Sequence, residues 1–165
     1  MWGEKKIRDN LGKIITKNMD ERLRESVFYT HDILKQYIIM HDKVFISPKW
    51  IIGKISKIFK PIDFGSYVDS LDFLKGKLEE DRGVVASIEN NQQEEGLMSV
   101  LTEFSYILTE TIENLKKICQ GLLDKSQNES YPISHYNLEL RTYQESVVRY
   151  KEMGNKLNKT YNAIA

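Results

Sequence analysis

Two residues in the first third of the chain have the types needed for acid–base chemistry on a charged phosphate. His31 can donate or accept a proton near neutral pH, and Arg24 can stabilise negative charge in a transition state. A separation of seven positions places both side chains on one face of a helix, two turns apart. This pair is the candidate catalytic site that the sequence offers.

The six positions between Arg24 and His31 match the longest spacing of the Arg-x(4–6)-His motif, so the pair resembles the HEPN-type helical ribonucleases. The resemblance implies a metal-independent ribonuclease in which His31 is the acid–base and Arg24 stabilises the phosphate. It covers these two residues only. Glu25 follows Arg24, where that family usually has a small polar residue. A ribonuclease is therefore the alternative function, and it competes with a non-enzymatic one.

Two His-Asp dipeptides in the chain are candidates for a metal site. His31-Asp32 and His41-Asp42 resemble the His-Asp core of the HD-type metal phosphohydrolases, but no histidine precedes His31 to complete a metal shell. The sequence also has no Glu-x-x-His pair, no Cys/His zinc spacing and no Gly-rich phosphate loop. We therefore expect no metal and no cofactor, and His41 is expected to be a partly buried histidine with a hydrogen-bond partner.

The strongest helical signal lies between residues 97 and 123. Its apolar positions alternate in steps of four and three, which keeps them on one side of an α-helix. Further apolar residues widen this stripe, so more than one neighbouring helix has to cover it. The sequence therefore predicts that this is the central helix of a bundle. The stripe consists of Leu97, Leu101, Phe104, Leu108, Thr111, Leu115, Ile118 and Leu122.

The same periodicity predicts three more long helices, at about 19–46, 66–93 and 134–164, with Ser66 and Ser134 as N-caps. Short helices are predicted at 4–16 and 48–60. The fold class is therefore all-α, an antiparallel bundle of four long helices with one or two short ones. A length of 165 residues fits a single domain that spans residues 1–165.

The segment 48–60 has an apolar face of isoleucines and a basic opposite face, with an indole near the boundary. Such a helix suits a membrane surface, a groove on a partner protein, or the open end of the bundle itself. All three interpretations stay open at this point. The candidate interaction residues are Lys49, Trp50, Lys54, Lys57 and Lys60.

The net charge of zero hides a strong asymmetry along the chain. Residues 1–60 carry a balance of +6 and residues 61–165 a balance of −6. The acidic part would repel phosphates, so nucleic-acid binding is not expected.

The single cysteine, Cys119, and the lack of an apolar signal segment favour a cytoplasmic location, peripheral at a membrane if the basic segment docks there.

Taken together, these patterns favour a non-enzymatic interaction module that binds a protein partner or an anionic membrane surface. The last helix also predicts a homo-oligomer through residues 134–164, because its seam contains several tyrosines, which suit a partly wet interface. A four-helix core could equally take up these rings, and that alternative stays open. The tyrosines are Tyr136, Tyr143, Tyr150 and Tyr161.

Overall fold

A computed structural model of the chain describes residues 19–45, 62–89 and 92–165. It contains four long helices, α1 (Glu21–Phe45), α2 (Phe64–Ala86), α3 (Glu95–Ser126) and α4 (Ile133–Ile164), and no strand occurs among these residues. The prediction of an all-helical bundle is therefore confirmed. The short helices predicted at 4–16 and 48–60 lie outside the described residues.

Helix α3 is the central element, as its broad apolar stripe predicts. It packs against α2 and α4 along much of its length and also contacts α1. Leu97, Leu108 and Leu115 are completely buried, and Phe104 is nearly so. Because each neighbour covers a different part of the stripe, burial of α3 holds the bundle together.

Polar contacts line up α2 and α3 along their outer edges. Lys116 of α3 pairs with Asp72 of α2 at 2.7 Å, and the Arg82 guanidinium of α2 donates to the Thr109 hydroxyl at 2.8 Å. Exposed ion pairs contribute only about 0–1 kcal/mol each, so they orient the helices more than they stabilise them.

A buried carboxylate joins α1 to α2. The Ser26 hydroxyl donates to Asp81 Oδ1 at 2.9 Å, and the Thr30 hydroxyl donates to Asp81 Oδ2 at 3.2 Å. Burial raises the pKa of Asp81, while both hydrogen bonds and Arg82 lower it. The two hydroxyls therefore partly offset the cost of placing this carboxylate between two helices.

Two predicted N-caps are wrong, by three residues for α2 and by two residues for α4. The Ser66 backbone N–H donates to Asp63 Oδ1 at 3.0 Å, so Asp63 caps α2 instead of Ser66. Helix α4 begins directly after Pro132, ahead of Ser134. Asp63 is itself a good cap residue and proline has a backbone angle suited to a helix start, so both compete with the serines.

The connector between α3 and α4 is held against α3 by Tyr131. Its ring covers Gly121, where a Cβ atom would come within 2.2 Å of the ring. The Tyr131 hydroxyl donates to Glu139 Oε2 at 2.5 Å, which ties the same residue to α4. Gly121 therefore has to be glycine for the ring to lie this close to the α3 backbone.

We expect Gly121→Ala to lower the free energy of unfolding by about 1–3 kcal/mol, because the Tyr131 ring has to move away. Gly76→Ala is the matched control, since a Cβ atom there meets nothing within 4 Å. In an open helical position this control should stabilise the protein by about 0.5–1 kcal/mol. Urea denaturation of both variants checks this, and an equal gain in stability for the two would contradict the close packing of Tyr131.

Candidate interaction groove between α1 and α4

The backbones of α1 and α4 do not come close to each other. Among the described residues, no Cα atom of α1 lies within 8 Å of a Cα atom of α4, whereas α1 packs on α2 and α4 packs on α3. Side chains therefore have to span this gap. They do so fully at one end only, and the other end is a groove.

Aromatic residues fill the gap near the end of α1, in what we call the tyrosine cluster (Tyr37, His41, Phe45, Tyr143 and Tyr150). Tyr37 of α1 meets Tyr150 of α4 edge to face, with ring centroids 5.6 Å apart. Phe45 stacks on Tyr143 at the same centroid distance of 5.6 Å. Tyr37 and Tyr143 are almost completely buried. Their rings are long enough to connect helices whose backbones are far apart.

A hydrogen-bonded chain runs through this cluster. The hydroxyls of Tyr37 and Tyr143 bond to each other, and His41 Nδ1 lies 2.6 Å from the Tyr143 hydroxyl. Tyr143 is the only described partner of the Tyr37 hydroxyl, so Tyr37 has to donate to Tyr143. Tyr143 then donates to His41 Nδ1, which has to be unprotonated in this arrangement. His41 is thus a partly buried histidine with a hydrogen-bond partner, as predicted.

The surroundings of His41 favour its neutral form. Burial lowers the pKa of His41 and Lys151 of α4 lowers it further, while Asp42 acts in the opposite direction. With Nδ1 protonated and donating to Tyr143, one of the two buried tyrosine hydroxyl protons would be left without an acceptor. Burial raises the pKa values of Tyr37 and Tyr143, so both phenols stay protonated at neutral pH.

The other half of the gap is the α1–α4 groove, a cavity of about 240 Å³. Helix α3 supplies Phe104 to its lining, and Gly154 of α4 lies close to that ring, where a Cβ atom would be 3.2 Å from Phe104. Aliphatic side chains and a glycine alternate with rings in this lining, and no hydrogen-bonded pair of rings closes it. The lining residues are Val27, Phe28, His31, Leu34, Phe104, Gly154, Leu157, Asn158 and Tyr161.

Phe28 lies at the mouth of this groove. Its ring meets Tyr161 edge to face, with centroids 6.1 Å apart, yet 58% of the residue is exposed to solvent. The exposed ring extends the apolar surface of the groove to its mouth. The helical periodicity did not identify Phe28, because this residue lies just outside the apolar seam of α1. An aromatic residue beside a seam is the signal that could have identified it.

The candidate catalytic residues Arg24 and His31 lie on the same exposed strip of α1, two turns apart. His31 lines the groove, whereas Arg24 lies outside its lining. No hydrogen bond joins the two side chains in the described part of the chain. The basic segment cannot be placed, because Lys49, Trp50, Lys54, Lys57 and Lys60 lie outside the described residues.

No protein-family model, curated protein or solved structure matches the chain. Within the described residues, no helix is long and apolar enough to cross a membrane. The same residues contain no group of three or more His, Cys, Asp or Glu side chains placed to hold a metal ion. The geometry of the chain itself is therefore the basis for assigning a function.

The tyrosine cluster predicts a loss of stability in mild acid. Because the folded state holds the pKa of His41 below its usual 6.5, the unfolded chain binds a proton first as the pH falls. The stabilising contribution is complete above 6.5 and is lost as the pH falls through the folded pKa. Denaturation at a series of pH values should show this step in wild type and in His31→Gln and His135→Gln, but not in His41→Gln. The same step in His41→Gln would contradict the assignment.

A double-mutant cycle tests the hydrogen-bonded chain. Tyr143→Phe leaves the buried Tyr37 hydroxyl without a partner and should cost about 1–3 kcal/mol of stability. Adding Tyr37→Phe removes that unpaired hydroxyl, so the double variant should be more stable than Tyr143→Phe alone. If the two substitutions instead destabilise additively in urea denaturation, the phenols do not form the proposed pair.

Proposed function

We propose that this protein is a non-enzymatic helical-bundle module that binds a protein partner in the α1–α4 groove. The observation that carries the proposal is an apolar groove, open to solvent, between two helices whose backbones do not meet. Grooves of this type suit an amphipathic helix, which inserts apolar side chains from successive turns. The partner helix would lie on the gap that α1 and α4 leave open.

A small number of anchor side chains would supply the binding energy. Burying a leucine-sized side chain in the groove contributes about 1.5–3 kcal/mol, and the exposed ring of Phe28 would lose water contact at the same time. The floor is already in place, because Phe104 and Leu157 belong to the buried core. The groove therefore needs little rearrangement to accept a partner.

We further propose that neighbouring helices of the bundle run antiparallel. Asp72 near the start of α2 pairs with Lys116 in the last third of α3. Arg82 near the end of α2 donates to Ser105 in the first half of α3. Across the groove, Phe28 in the first half of α1 meets Tyr161 at the end of α4. These pairings support opposite directions for both pairs of helices.

An anionic membrane matches the described part of the chain less well than a protein does. Residues 19–45, 62–89 and 92–165 carry 15 Lys and Arg against 22 Asp and Glu, a net charge of −7. The basic segment with Lys54 and Lys57, on which the membrane interpretation is based, is outside the described residues. Membrane binding is therefore a competing outcome of the experiment below.

A second copy of this chain is one possible protein partner, as the tyrosines of residues 134–164 predict. Tyr143 and Tyr150 are buried within one chain, where they belong to the tyrosine cluster. Tyr136 and Tyr161 are only partly buried, and Tyr161 borders the groove. Self-association would therefore use the same groove, and Phe28 would be part of the interface.

The experiment compares wild type with Phe28→Glu, which places a charge at the mouth of the groove. Phe73→Glu is the matched control, because Phe73 of α2 is 61% exposed and borders a different cavity of about 240 Å³, between α1 and α2. Both proteins should be folded with near wild-type stability. A displayed library of helical peptides is selected on wild type, and the enriched peptides are then measured against both variants by fluorescence polarisation.

The proposal expects peptides with an apolar stripe that lose at least tenfold in affinity for Phe28→Glu and keep it for Phe73→Glu. Loss of self-association in Phe28→Glu only, measured by light scattering, would support it with a second copy as the partner. The proposal fails if the enriched peptides bind Phe28→Glu and wild type equally. Binding to phosphatidylserine vesicles without peptide binding, or RNA hydrolysis that depends on His31 and Arg24, would also overturn it.

A further inference from the structure

Basic side chains border the α1–α4 groove along α1. Each residue of an α-helix turns by about 100°, so Arg24, His31 and Lys35 lie within about 40° of one another around the helix axis. All three are exposed, and His31 lines the groove. We call these three residues the basic strip of α1.

Lys151 of α4 places a further positive charge on the opposite side of the gap. It is exposed and directly follows Tyr150, whose ring meets Tyr37 of α1 edge to face. Because Tyr37 of α1 contacts Tyr150 of α4, these two residues lie at the same height along the bundle. Lys35 and Lys151 therefore lie at the same end of the groove, one on each helix.

Arg24 lies toward the other end of the groove. Eleven residues separate it from Lys35, which corresponds to about 16 Å or three turns along α1. Phe28 and its contact with Tyr161 lie between these two positions. The groove thus has an apolar middle with one cation near one end and two near the other.

These cations are not neutralised within the described part of the chain, where none of Arg24, Lys35 and Lys151 belongs to an ion pair. Asp42 continues this strip two turns beyond Lys35, beside the tyrosine cluster, and forms no ion pair with Lys151. Asp32 accepts a hydrogen bond from Gln36 at 2.9 Å. The positive rim is therefore a local feature of a surface that is acidic elsewhere.

We infer that the partner is an acidic amphipathic helix, with carboxylates about 11 positions apart on either side of its apolar anchors. This inference rests on the proposed function. One carboxylate faces Arg24, and the other lies between Lys35 and Lys151. The anchors occupy the middle of the groove beside Phe28. Charge complementarity of this kind speeds association and fixes the register of the bound helix.

The test uses two synthetic fluorescein-labelled helical peptides with the same leucine stripe. One has Glu at two flanking positions eleven residues apart, and the other has Lys at those positions. Both are titrated with the full-length protein at low salt and at about 0.5 M salt, where surface charges are screened. The Glu peptide should bind about tenfold more tightly at low salt, and the difference should largely disappear at high salt.

The variant Arg24→Gln/Lys35→Gln/Lys151→Gln should bind the Glu peptide no more tightly than the Lys peptide. The control is Lys117→Gln/Lys125→Gln/Lys156→Gln, which removes the same charge from exposed positions outside the groove lining and should keep the preference. Equal binding of both peptides that is lost in Phe28→Glu would overturn the acidic partner and leave the proposed groove function standing. If neither peptide binds, both the proposed groove function and the acidic partner are contradicted. If the Lys peptide binds more tightly than the Glu peptide, only the acidic partner is contradicted.

Discussion

The broad apolar stripe of α3 has to be buried away from water, and this requirement determines how the other helices are arranged. One neighbour cannot cover a face that includes Leu97, Phe104 and Leu115 as well as the residues beside them. Helices α2 and α4 pack along α3 over most of its length, and α1 joins the bundle mainly through α2. This unequal sharing of α3 leaves α1 and α4 apart.

The size of the side chains then decides what happens in the gap between α1 and α4. Near the end of α1, the rings of Tyr37, Tyr143 and Tyr150 reach across it, and the hydroxyls of the first two are paired because burial would otherwise be costly. At the other end, Gly154 has no side chain, and Phe28 meets Tyr161 only at the mouth, so a cavity of about 240 Å³ stays open. The same gap therefore yields a closed aromatic cluster in one half and an open apolar groove in the other.

The candidate catalytic pair illustrates what a motif by itself can establish. The spacing of Arg24 and His31 correctly places both on one exposed strip of α1. Whether a second reactive group faces them depends on α4, more than a hundred residues away, and there the structure has Asn158, Tyr161 and Leu157. With Lys151, the basic strip forms the rim of the proposed binding groove, and that proposal does not follow from the spacing of two residues.

The sequence by itself determined the four helices, the buried stripe of α3 and the partly buried state of His41, because the side chains that share a helix face follow from 3.6 residues per turn. It left helix ends uncertain, since neighbouring residues such as Asp63 and Ser66 compete to cap. Only the tertiary structure decided that Tyr143 bonds to Tyr37 and that Phe28 stays exposed. Those outcomes depend on the distance between α1 and α4, which no local pattern encodes because it results from how all four helices share the surface of α3.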